Sequence, residues 1–392
     1  MIAGFIILRL RSILGRKTGH ESKVYPDFTE KKFTMPKNDA DSVKPNLDIL
    51  EGDNKKEFLI ARNDKIGDFM LIWPALAWLK KNIPNAHIVC IVSQSSSELA
   101  QQCPYIDDYY IDMDYKSLKQ SLSKYHFAAS IAFFSTFRIG FLFKNLNIPV
   151  RIAPKTKIAQ YFHNYRIKQN RSKSEKPEFE YNIDLVYELL NVLNHDEILD
   201  ADDAPFWVLD PKKHNDYKEQ FIQEHKINLD KKVIFLHPGS GGSSKTLSLD
   251  QFIELCEGLR SFDDYNFIIH CSKNDTEKAE YILKNIANNV NIKKIKESAN
   301  VTQMVNNIAC SDLFIAGSTG PLHIAGALNK KTVGFYPSKK SSTSLRWQTI
   351  NNFHKRLSIT DTDRDKKNIS VDIKKTVLEI QKLISSEEII GN

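Results

Sequence analysis

The sequence predicts an α/β protein built from two doubly wound domains that face each other across a cleft. Apolar, strand-like runs alternate with amphipathic helical segments, the pattern of parallel sheets covered by helices. The alternation occurs twice, with a helical and highly charged stretch between the rounds. The chain has 392 residues, 41% apolar and 26% charged, which is long for one core and ample for two.

The opening run MIAGFIILRLRSILGRK is apolar on one helical side and carries Arg9, Arg11, Arg16 and Lys17. Its apolar stretch is broken by arginine well before the ~20 residues that a bilayer span needs, and no small-residue cleavage site follows. It fits an interfacial helix on an anionic membrane as well as it fits a frayed extension. Gly19–Lys56 is polar and without period, as a flexible linker is. The first strand is Glu57–Arg62. A helix over Asp68–Asn82 follows, then a strand at His87–Ser93, a helix near Glu98–Gln102, and strands at Tyr109–Asp112 and Phe127–Ser135. Lys155–Lys176 is basic, dotted with aromatics and aperiodic. Tyr181–Leu193 is an amphipathic helix with Ile183, Val186, Leu189, Leu190 and Leu193 on one face. A charged stretch runs on to Lys232.

From Val233 the alternation restarts. Strands are expected at 233–238, Asn266–Ser272, Asp312–Gly317 and Thr332–Tyr336. Helices are expected at Leu249–Leu259, Glu277–Ile286, Val301–Cys310 and Pro321–Leu328. The organisation is thus an N-terminal segment and linker at 1–56, a Rossmann-like domain at 57–177, a helical linker at 178–232 and a second Rossmann-like domain at 233–392.

The net charge of +7 suits anionic partners such as phosphates, acidic sugars or an acidic membrane surface, and is too diffuse to indicate nucleic acid. The five cysteines, Cys90, Cys103, Cys256, Cys271 and Cys310, are odd in number and lack C-x-x-C spacing. They read as small buried hydrophobes of a reducing compartment, not as disulfides or a zinc site.

In open α/β sheets, ligands bind where strand C-termini feed helix N-termini. Three such turns stand out. In ARNDKIGD, Ala61–Asp68, Gly67 permits a tight turn and Asp68 stands at the helix start, where a cleft carboxylate and a dipole-favoured acid look alike. In HPGSGGSSKTLSLDQF, His237–Phe252, glycines and serines supply backbone and hydroxyl donors and Lys245 a cation. Walker spacing is absent, so the loop is either a diphosphate cradle or an ordinary loop. In AGSTGPLHIAGAL, Ala316–Leu328, Thr319 and Gly320 turn the chain, Pro321 suits the first helical turn, and His323 follows. Exposed N–H groups there favour phosphate.

The segment from Phe58 to Tyr110, with its Gly-Asp turn, its Pro-Ala-Leu helix and its Pro-Tyr-Ile-Asp, resembles the opening of glycosyltransferase family 9 heptosyltransferases. The helix EYNIDLVYELLNVL, the loop HPGSGGSSKTLSLDQF, SDLFIAGSTGPLHIAGALNKKTVGFYP and then Arg346-Trp347 resemble the same family in the same order. The resemblance spans Phe58–Trp347. It implies a GT-B fold, an inverting and metal-independent transfer without a cofactor, and ADP-heptose as donor to an anionic glycolipid of the lipopolysaccharide inner core. With the reducing compartment read from the cysteines, the diffuse charge and the N-terminal run, the expectation is a cytoplasmic enzyme without a nucleic-acid partner, peripheral on the inner membrane's cytoplasmic face if that run is an interfacial helix.

Residue by residue, the resemblance makes Asp68 the catalytic base and Lys245 the lysine that neutralises the diphosphate. Ser243, Ser244, Ser318, Thr319, Gly320 and His323 complete that cradle, in the donor-side domain. Lys273 and Asp275 fall where the donor nucleoside is contacted. Arg62, Lys65, Arg166 and Lys168 are the acceptor-side candidates. The chain departs from the family pattern twice: Ser318 stands where many members have an acid before Thr-Gly, and Lys273 where an acid contacts the nucleoside. Both departures bear on donor identity more than on reaction type. Two other functions stay open from sequence: a GT-B nucleotide-sugar epimerase using the same cleft, and an inactive relative that binds lipopolysaccharide precursors.

Overall fold

A computed structural model describes residues 55–195, 197–239 and 244–386, all within one compact unit, Lys44–Asn392. The segment Met1–Lys17 and nearly all of the Gly19–Lys56 linker lie outside the described residues, as does Ser243.

The first half contains β1 (Lys56–Arg62), β2 (Ala86–Val92), β3 (Asp108–Ile111), β4 (Phe127–Ala132), β5 (Val150–Pro154) and β6 (Tyr165–Ile167). They form one parallel sheet in the order β3-β2-β1-β4-β5-β6. β1 is apolar on both faces, as a central strand covered by helices on each side must be. The covering helices are α1 (Ile66–Met70), α2 (Trp73–Asn82), α3 (Ser97–Gln102), α4 (Tyr115–Leu122) and α5 (Phe137–Asn145).

Two helices, α6 (Glu178–Val192) and α7 (Pro211–His225), lead to the second half. There β7 (Val233–His237), α8 (Leu249–Arg260), β8 (Asn266–Ile269), α9 (Thr276–Asn285), β9 (Ile292–Lys294) and α10 (Val301–Ala309) are followed by β10 (Leu313–Gly317) and α11 (Gly320–Ala327). β11 (Lys331–Tyr336), β12 (Arg356–Thr360) and α12 (Ile373–Ser385) complete it. The second parallel sheet runs β12-β11-β10-β7-β8-β9, the same doubly wound order as the first. In each sheet the chain reverses direction between its first and fourth strands, and that switch point is where such sheets bind ligands.

A continuous apolar cluster joins the halves. It runs from Phe58, Ile60 and Trp73 through Leu185, Val186 and Leu189 of α6 and Trp207 to Phe235, Phe314 and Leu322. Trp73 and Trp207 have ring centroids 4.9 Å apart. All five cysteines are buried and unpaired.

The expected strands are present within a residue or two at most ends, except that the Phe127 and Asn266 strands stop three residues early. The expected helix over Asp68–Asn82 is two helices. Pro74, at the second position of α2, has no N–H to donate and its ring excludes the Met70 carbonyl, so the chain turns at Leu71–Ile72. The basic stretch Lys155–Lys176 contains β6, and the charged stretch before Lys232 contains α7.

Candidate active site

A cavity of about 750 Å³ opens at the strand C-termini between the two halves. One wall is the β1–α1 loop, Asp64–Asp68. The opposite wall is the Ser318–Pro321 turn with His323, flanked by His237, His270 and Asp275.

On the first wall, Asp68 is the third residue of α1 and Lys65 its N-cap. Asp68 Oδ1 accepts from the buried Arg62 guanidinium, whose Nε also donates to Asp64 Oδ1 at 2.8 Å. Arg62 Nη1 lies 3.7 Å from Glu178 Oε1 and donates to the Phe133 carbonyl at 3.4 Å. Burial alone would lower the Arg62 pKa, but the three carboxylates outweigh it and raise the pKa. Burial pushes Asp64 up to about 6; the Arg62 charge opposes the rise and Asp68 adds to it. Arg62, an acceptor candidate from sequence, is not on the cavity surface. Its fork is consumed in positioning Asp64 and Asp68. Lys65 is exposed and lines the cavity.

Glu178, at the start of α6, is 1% exposed and ties both halves to this network. Its carboxylate receives Arg171 Nη1 at 2.6 Å and Arg346 Nε at 2.9 Å, and its N–H donates to the Arg346 carbonyl at 2.7 Å.

The facing wall meets the first through two glycines. A Cβ at Gly67 would lie 2.8 Å from His323 Cδ2, and one at Gly320 would lie 2.8 Å from Ile66 Cγ2. α1 and α11 therefore approach as closely as they do because neither position carries a side chain. Thr319 is the N-cap of α11, yet its hydroxyl makes no capping bond and is buried without a hydrogen-bond partner. His323 Nδ1 and His270 Nε2 are likewise unpartnered. Burial pushes His323 down to about 4, so it is neutral at pH 7. Ser244 Oγ donates to the Ser318 carbonyl at 2.9 Å, joining the second and third turns. The arrangement is a carboxylate on one wall facing a helix N-terminus with uncommitted donors on the other. It suits proton removal opposite a stabilised leaving anion.

The glycosyltransferase family 9 (heptosyltransferase) model matches residues 115–372 of this chain. A Haemophilus influenzae protein named "putative glycosyltransferase" is 38% identical over 310 residues, covering 77% of this chain and 88% of that protein. The chain belongs to glycosyltransferase family 9. A Campylobacter jejuni lipooligosaccharide heptosyltransferase 2 is 25% identical, with 73% of this chain and 82% of that one covered. The fold is GT-B: Escherichia coli ADP-heptose lipopolysaccharide heptosyltransferase II superposes with a TM-score of 0.65 at 18% identity, over 84% of this chain and 98% of that chain.

The other residues expected to act in this family 9 site are placed unevenly. Lys245 does not line the cavity. Its ammonium donates to the Arg364 and Lys366 carbonyls at 3.0 and 2.6 Å and lies 3.6 Å from Asp361 Oδ2. Asp275 borders the cavity but is buried, accepting from Ser272 Oγ at 2.6 Å and Lys278 Nζ at 2.7 Å. Burial alone would raise its pKa, and those two partners bring it below the ordinary carboxylate value. Lys273 opens the short turn Lys273–Asp275, and its side chain lies outside what the structure describes. Arg166 and Lys168, exposed on and just after β6, are not among the cavity-lining residues; Arg166 lies over the Tyr161 ring at 5.9 Å.

Sequence reasoning missed Asp64, His237, His270 and Trp347 as lining residues of this family 9 site. The two histidines had a signal. Each directly follows or ends a strand, β7 or β8, and adjacent parallel strands bring those ends together. His237 Nδ1 donates to the His270 carbonyl at 2.8 Å.

Proposed function

We propose that this family 9 enzyme is an inverting glycosyltransferase that needs no metal. It moves a sugar from a nucleotide-sugar donor to a lipopolysaccharide-core or related glycolipid acceptor. ADP-heptose is the leading donor, in keeping with the heptosyltransferase relatives and with an Escherichia coli heptosyltransferase structure that holds ADP. The observation that carries the reading is a cavity with Asp68 on one wall and the α11 N-terminus on the other.

A sugar hydroxyl has a pKa far above 7, so its proton must leave as the glycosidic bond forms. Arg62 holds Asp68 Oδ1, and the second carboxylate oxygen takes that proton. On the other face, the departing diphosphate gains negative charge. The first-turn N–H groups of α11 and the Thr319 hydroxyl stabilise it, with Lys245 joining on release from the 361–366 segment. His323 and His270 are neutral and serve as polar contacts, not as charges. One displacement inverts the anomeric carbon. The first half, beside Asp68, then receives the acceptor, and the second half the donor.

A thermal-shift screen of nucleoside diphosphates and nucleotide sugars, followed by product analysis with and without a core oligosaccharide, tests this. The proposal expects ADP and ADP-heptose to raise the melting temperature, by mass action on the folded state, and the acceptor oligosaccharide to lengthen by one sugar with release of ADP. Conversion of the donor sugar to an epimer without acceptor would overturn it.

A further inference from the structure

We infer that the face formed by α5, the turn Ile158–Phe162 and the Lys155–Lys157 loop is a docking surface for an anionic lipid bilayer. The sixty consecutive residues from Tyr115 to Ser174 contain twelve Lys and Arg and no Asp or Glu. The rest of the chain holds 43 Lys and Arg against 48 Asp and Glu, so the basic excess, expected from the totals to be diffuse, is in fact concentrated in this one segment. Four of these cations frame an apolar patch. Ile158 is 72% exposed, Tyr161 73% and Phe137 60%.

These side chains form one cluster. Phe137 and Phe141 lie edge-on to Phe162, at centroid distances of 4.8 and 5.8 Å, and α5 packs along the Ile158–Phe162 turn. Lys157 takes a φ of 55°, a left-handed conformation uncommon outside glycine, at the point where the chain turns into Ile158. Lys144, Lys155, Lys157 and Arg166 are exposed around the patch. The nearest preceding carboxylates are Asp112, already engaged by Arg138 and by Asn63, and the exposed Asp114, whose Oδ1 accepts from the Lys116 and Ser117 N–H groups as the cap of α4.

Exposed aromatic and aliphatic side chains ringed by cations, on a segment without Asp or Glu, are the chemistry of interfacial binding. The apolar tips enter the headgroup boundary while lysines meet acidic lipid. Phosphorylated glycan or nucleic acid would use the cations but leaves no role for the exposed Ile158. The position is also productive. Asp112 bridges Arg138 of α5 to Asn63 in the turn that leads into the helix of Asp68, so the patch adjoins the proposed acceptor side of the cavity. The inference rests on the acceptor being lipid-linked, as proposed above.

Flotation of the full chain with vesicles tests it, with no donor or acceptor present, so that its outcome is independent of the transfer assay. Vesicles of phosphatidylcholine alone are compared with vesicles holding equal parts phosphatidylglycerol. Wild type is expected to float with the anionic vesicles and not with the neutral ones. Binding should fade between 0.1 and 1 M salt, as the screening length falls from about 10 to about 3 Å. Ile158→Ser with Tyr161→Ser should weaken binding at least ~tenfold, and Lys155→Gln with Lys157→Gln should weaken it and flatten its salt dependence. Both pairs are solvent-facing and should melt like wild type. Met1–Lys17 is present in every arm, so its contribution cancels in the comparison. Equal flotation of wild type and the apolar pair would overturn the inference. So would equal binding of wild type to neutral vesicles, or binding of a phosphorylated oligosaccharide or RNA without vesicle binding.

Discussion

Replacing Glu178 by Gln removes one buried negative charge from among three guanidiniums. The carboxylate is 1% exposed and sits 2.6 Å from Arg171, 2.9 Å from Arg346 and 3.7 Å from Arg62. A glutamine keeps the shape and one acceptor oxygen, but turns an N–H₂ group toward an arginine that also donates. Breaking a buried pair from one side costs about 3–5 kcal/mol, because the remaining charge is left uncompensated. At roughly 1.2 °C per kcal/mol for a chain of this size, the melting temperature should fall by about 4–6 °C. The effect has a pH signature. Burial alone would raise the Glu178 pKa, but Arg171, Arg62 and Arg346 outweigh it and hold it below the ordinary glutamate value. A lowered carboxylate pKa contributes stability in full above the unfolded-state value of about 4.3, and loses it as pH falls through the folded value. The gap between wild type and Glu178→Gln should therefore be constant from pH 6 to 8 and narrow below about pH 4. Differential scanning calorimetry across that range measures it. A melting temperature within 2 °C of wild type at pH 7 would refute the idea that Glu178 is the electrostatic tie between the halves.

Other perturbations test the same geometry. Asp64, raised to about 6, lies beside the proposed base, and its protonation removes one of the three carboxylates that share Arg62, drawing the guanidinium more strongly onto Asp68 and Glu178. The rate should fall as pH drops through about 6, and Asp64→Asn should be slower with no inflection there; an unchanged profile would remove Asp64 from the account. Gly67→Ala drives a methyl toward the buried His323 ring and should cost about 1–3 kcal/mol of stability while reducing turnover, read by melting and by initial rates. Transfer should persist in EDTA, since protein donors stabilise the leaving diphosphate; loss on chelation with rescue by Mg²⁺ or Mn²⁺ would contradict this.

Much of the fold was legible because parallel strands buried on both faces are near-continuous apolar runs, as in Phe58–Ala61 and Ile234–Leu236. What escaped had weak local signals. α7 buries Phe221 alone, so its helix announces itself through the Asp210 cap and Pro211 rather than through a hydrophobic stripe. β6 and β9 are three-residue edge strands, ordered by their neighbours. The cavity positions of Asp68 and the Thr319–Gly320 turn were legible because strand-to-helix turns mark the ligand side of such sheets, while the turn alone left Asp68 equally readable as a helix-start acid. The fate of Arg62 and Lys245 was not. Arg62 is held inward by Asp64, Asp68 and Glu178, the last 116 residues away, and Lys245 by carbonyls at Arg364 and Lys366. Gly67 was read as a turn glycine, while its structural reason is the approach of His323 from the other half.

The central claim is that Asp68 removes the acceptor proton across a cavity whose other wall holds the leaving group. Asp68→Asn keeps the side-chain shape and removes the base. Its kcat for transfer from ADP-heptose to a core oligosaccharide, measured beside its donor Kd, tests that claim most directly. The account predicts a fall in kcat of about 100-fold or more with the donor Kd within about threefold of wild type. Near wild-type turnover by Asp68→Asn would contradict it and reduce Asp68 to an acid that stabilises the start of α1.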